Sequence, residues 1–146
     1  MPEQSGRAER LRALYEAYLD EAAAAERGKG FFAGAFGLKG GPADDPCHER
    51  FAERLQALLA DFAEERPGSC EARALLEQVF APPPKGCPKS AYWMLLAMHG
   101  TAEGLIPALE REDARALRES YRGDYPRHLR LPVQDRILRL LEKAAQ

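Results

Sequence analysis

Cys47, Cys70 and Cys87 each fall at or just before the start of a segment whose pattern reads as a helix. The positive end of a helix dipole favours a thiolate, so this placement points to lowered thiol pKa values and reactive or metal-binding sulfur. Together with His48 or His99, the three thiols would satisfy a Cys3His zinc site in number. Their spacings of 23 and 17 residues contain no Cys-x2-Cys knuckle. The plainer expectation is three small buried apolar side chains, with no cofactor.

The histidines suggest a second kind of site. His48 opens one predicted helix, whereas His99 closes another, where the dipole favours the imidazolium. His48, Tyr92, His99 and Tyr125 are the polar groups expected to line a ligand pocket, where the most apolar segment meets the second helix and the Tyr125-Pro126 turn. None of these residues sits in a hydrolase signature. There is no Gly-x-Ser-x-Gly, no His-Glu-x-x-His and no Ser-x-x-Lys at a helix start, so a non-catalytic role is expected.

A third constellation is basic. Residues 44–81 carry nine acidic and four basic side chains, whereas 85–146 carry eight acidic and eleven basic. Arg122, Arg127, Arg130, Arg136, Arg139 and Lys143 concentrate the excess, with Tyr121, Tyr125 and His128 between them. Arginine and tyrosine suit bidentate anion contacts and stacking, so an acidic protein surface or, less favourably, nucleic acid would fit this face. Asp124, Asp135 and Glu142 dilute it, so the first expectation is a solvated charged face on a terminal helix, ahead of either contact. The net charge of −2 excludes a wholly basic nucleic-acid binder.

These residues must be positioned by helices. Leu11, Leu14, Tyr15, Tyr18, Leu19 and Ala22 form the stripe of a helix over 7–27, with Ser5 as N-cap and Gly28 as stop. Asp45-Pro46 opens a second, whose inner face is Cys47, Phe51, Leu55, Leu58, Leu59 and Phe62. Ser69 caps a third carrying Ala72, Leu75, Leu76, Val79 and Phe80, and Pro82-Pro83-Pro84 ends it as a stiff connector. Asp113 caps a helix with Ala114, Leu117 and Tyr121 inside, and Pro132 starts a basic last helix over 132–145.

The most apolar run is Ala91 to Met98, which contains the only Trp. Without a polar face it predicts a central helix over about 89–104, buried on all sides. Burial there predicts a cost of about 3–5 kcal/mol for Trp93→Ala. The run is too short to cross a bilayer, which needs about 20 apolar residues. Gly100 and Gly104 would leave a smooth strip for a close neighbour, and Pro107 forces a stop or kink.

Between the first two helices, six glycines alternate with Phe31, Phe32, Phe36 and Leu38 over 28–43. This reads as a greasy loop, either tucked under the bundle or presenting aromatics to a partner. Gly28-Lys29-Gly30 lacks the flanking strand and Gly-Lys-Ser/Thr of a phosphate loop.

No stretch alternates with a period of two. The expected fold is therefore one all-α domain over 1–146, a compact bundle of six or seven helices around the 89–104 segment. The polar start and odd cysteine count predict a cytoplasmic protein with reduced thiols. The expected function is a protein-interaction module using the Phe-rich loop, the arginine face or both; a small-ligand or zinc-binding protein is the alternative.

Overall fold

The computed structural model describes residues 2–36 and 45–146, with side chains over 6–27 and 45–146. The described chain is all-α. Six α-helices, α1 (Pro2–Phe36), α2 (Pro46–Glu64), α3 (Ser69–Phe80), α4 (Lys89–Ala97), α5 (Arg111–Asp124) and α6 (Pro132–Ala144), are joined by two 3₁₀ helices at Met98–Ala108 and Arg127–Leu129. No strand occurs among the described residues.

The amphipathic stripes bury as their spacing requires. On α2, Cys47, Phe51, Leu55, Leu59 and Phe62 are buried. Asp45 accepts a hydrogen bond from the Cys47 backbone N–H at 2.9 Å, and Pro46 occupies the first turn, where a missing N–H is harmless. On α3 the inner face is Ala72, Leu75, Leu76, Val79 and Phe80. α5 buries Ala114, Leu117 and Tyr121, and α6 buries Ile137, Leu138 and Leu141.

Several boundaries differ from expectation. α1 runs through Ser5 and Gly28 rather than being capped by one and stopped by the other; glycine weakens a helix by about 1 kcal/mol but does not forbid it. Residues 28–36 of the predicted loop are therefore helical, and 37–43 lie outside the described residues, as do the side chains of Phe31, Phe32 and Phe36. Ser69 does not cap its own helix. Its hydroxyl accepts from the Glu110 N–H at 2.7 Å and donates to Asp113 at 2.5 Å, tying the start of α3 to the start of α5.

The central position belongs to the 3₁₀ helix Met98–Ala108, which packs against α2, α3 and α6. His99, Ala102 and Leu105 recur every third residue, the period of that helix, and all three are buried. Its glycines allow close approach: a Cβ at Gly104 would stand 3.3 Å from the Ala63 Cβ, and one at Gly100 3.5 Å from Val133 Cγ2. Gln134 fastens α6 to this core from a buried position. Its amide donates to the Leu96 carbonyl at 3.1 Å, and its oxygen accepts from the Leu131 N–H at 2.8 Å.

The expectation that Tyr92 through Met98 is enclosed on every side is overturned. α4 buries only Ala91, Leu95 and Leu96. It lies mainly against α1 and the 3₁₀ helix that follows it, and Tyr92, Trp93 and Ala97 remain exposed.

Candidate interaction surface

α4 begins after a turn at Gly86, whose φ of 83° suits a residue without a Cβ. The helix then presents Tyr92 and Trp93 outward, 40% and 53% exposed. Their rings meet edge to face, with centroids 5.2 Å apart at 88°. This is the favourable arrangement of two ring quadrupoles, and it holds both side chains in place. Ala97 is also exposed and Met94 half-buried on the same outer side. From Ser90 to Ala102 the chain has no Asp, Glu, Lys or Arg, although 30% of the whole sequence is charged. Apart from the exposed Lys89 in its first turn, α4 is therefore an uncharged, aromatic surface helix in an otherwise charged exterior.

Beside it runs an apolar groove of about 260 Å³ between α1, α3 and the proline run, walled by Tyr15, Leu19, Val79, Pro82, Pro83, Pro84 and Leu95, with Arg12, Glu16 and Gln78 also lining it. The Tyr15 hydroxyl is buried without a hydrogen-bond partner among the described residues. Burial raises its pKa well above the usual phenol value.

The four expected pocket residues do not converge. His99 and Tyr125 meet with ring centroids 5.2 Å apart, in a buried aromatic cluster with Phe80 and Tyr121. His99 Nδ1 is 2.8 Å from the Tyr121 hydroxyl, and the Tyr125 hydroxyl donates to the Phe80 carbonyl at 2.5 Å. His48 lies in a separate cluster, 2.6 Å through Nδ1 from the Tyr18 hydroxyl, with Tyr18 stacked on Phe51 at 4.0 Å. Tyr92 is on the exposed face of α4. The imidazolium expected for His99 at a helix end is also overturned: burial lowers its pKa to about 4, because desolvation penalises the cation more than the dipole favours it.

The thiols behave likewise. Cys47 is buried, and burial, then Asp45, pushes its pKa up to about 11; burial also raises the half-buried Cys87. The lowering expected from helix dipoles loses to desolvation at both positions. Cys70 is exposed. Among the described residues no group of three or more His, Cys, Asp or Glu side chains is arranged to hold a metal ion.

The arginine face is largely engaged within the chain. Arg122 pairs with Glu142 at 3.2 Å and Glu119 at 3.7 Å, and Arg136 with Glu103 at 2.6 Å. Arg130 pairs with Asp135 at 3.0 Å, and its side chain is only 11% exposed. Arg127 and Arg139 are exposed, with no ion pair among the described residues. Tyr121 and Tyr125 are buried, so neither can stack on a base, and the expected Arg–Tyr surface loses its aromatic half.

Sequence reasoning missed the exposed aromatic pair because an all-apolar helix carries no signal for which side faces water. The absence of charge from Ser90 to Ala102 was the available clue, and it fits a buried segment equally well. Compared with protein-family models, curated proteins and solved structures, the chain matches none of them.

Proposed function

We propose that the chain is a non-catalytic helical interaction module that docks through the outer face of α4. The observation that supports this most directly is the exposure of Tyr92 and Trp93, locked edge to face on a helix whose one charged residue is Lys89 in its first turn. Exposed aromatics in a neutral patch mark contact surfaces, and Trp and Tyr are the residues that most often dominate interface energetics. Two of the three histidines point the same way. His99 and His48 are buried and held against Tyr121 and Tyr18, so neither is presented to a substrate.

The partner class that fits is a protein surface with an apolar, weakly charged contact patch. No described helix is long and apolar enough to cross a membrane. A cytoplasmic setting accords with three unpaired cysteines.

Site-specific cross-linking tests the proposal. A photoreactive phenylalanine analogue at position 93 is expected to give a discrete protein adduct in cells. The same probe at Arg139, on the outer face of α6, is expected to give none. Equal labelling at both positions, or no adduct at 93, would remove α4 as the docking face.

A further inference from the structure

We draw no further inference here: the strongest candidate, the apolar groove of about 260 Å³ between α1, α3 and the Pro82-Pro83-Pro84 run, has charges of both signs in Arg12 and Glu16 and a Tyr15 hydroxyl sealed from solvent, so nothing in the structure shows what covers it.

Discussion

The hydroxyl of Tyr121 lies 2.8 Å from Nδ1 of His99, and both side chains are shut away from water. Burial moves the two groups in opposite directions, the imidazole down to about 4 and the phenol well above its usual value. At neutral pH they form a hydrogen bond between uncharged partners that joins the central 3₁₀ helix to α5.

That relationship makes stability pH-dependent. The folded-state pKa of His99 lies below its unfolded value, so between about 6.5 and 4 the unfolded chain binds the extra proton and stability falls as the solution is acidified. Between pH 7 and pH 5 the expected loss is about 2 kcal/mol from this residue. Urea melts at the two pH values check it, and His99→Gln should flatten the slope even though it lowers stability at pH 7.

Two neighbouring tyrosines on α1 should respond in opposite ways to losing a hydroxyl. Tyr18 is hydrogen-bonded to His48, whereas Tyr15 has a buried hydroxyl without a partner among the described residues. Tyr18→Phe is expected to cost about 1–2 kcal/mol, and Tyr15→Phe to be neutral or stabilising by up to about 1 kcal/mol. Chemical denaturation of both variants decides this; a Tyr15→Phe loss above about 1 kcal/mol would show that its hydroxyl is satisfied.

Trp93→Ser should change stability by less than about 1 kcal/mol, since the indole is 53% exposed in the monomer. Leu105→Ala, at a position 1% exposed in the central 3₁₀ helix, is expected to cost about 2–5 kcal/mol. Thermal melts at low protein concentration compare them. Equal losses would return Trp93 to the core.

Glycines on the two sides of the molecule should differ in sign. Gly123, in α5, has nothing within 4 Å of an added Cβ, whereas one at Gly104 meets the Ala63 Cβ at 3.3 Å. Gly123→Ala is expected to stabilise by about 0.5–1 kcal/mol, and Gly104→Ala to destabilise by a similar amount. Adding Ala63→Gly should reverse the effect of the Gly104 change; additivity in that double-mutant cycle would show that the two backbones are not in contact.

Thiol labelling should separate the cysteines. Cys70 is exposed, Cys87 half-buried and Cys47 buried with its pKa raised to about 11. A maleimide at neutral pH is expected to modify Cys70 first, Cys87 more slowly and Cys47 only on unfolding. Peptide mapping after timed quenching reads the order, and early modification of Cys47 would contradict its burial.

The inner faces of α2, α3 and α5 were legible in the sequence because each alternates apolar and charged positions at helical spacing, and a stripe such as Phe51, Leu55, Leu59, Phe62 leaves one direction to bury; on α6 the spacing gave Ile137 and Leu141 but not the buried Gln134 and Leu138. The start of α2 was legible too, since Asp45 and Pro46 act through bonds to their immediate neighbours. Tertiary structure alone decided that Ser69 serves α5, that His48 and His99 occupy separate clusters and that Tyr121 and Tyr125 turn inward. Each of those depends on which residue a distant segment brings within a few ångströms. It also decided the fate of α4. A helix apolar on all sides gains by burying any of them, so its own residues cannot choose; the neighbours that pack against Leu95 and Leu96 cover that half and leave Trp93 in water.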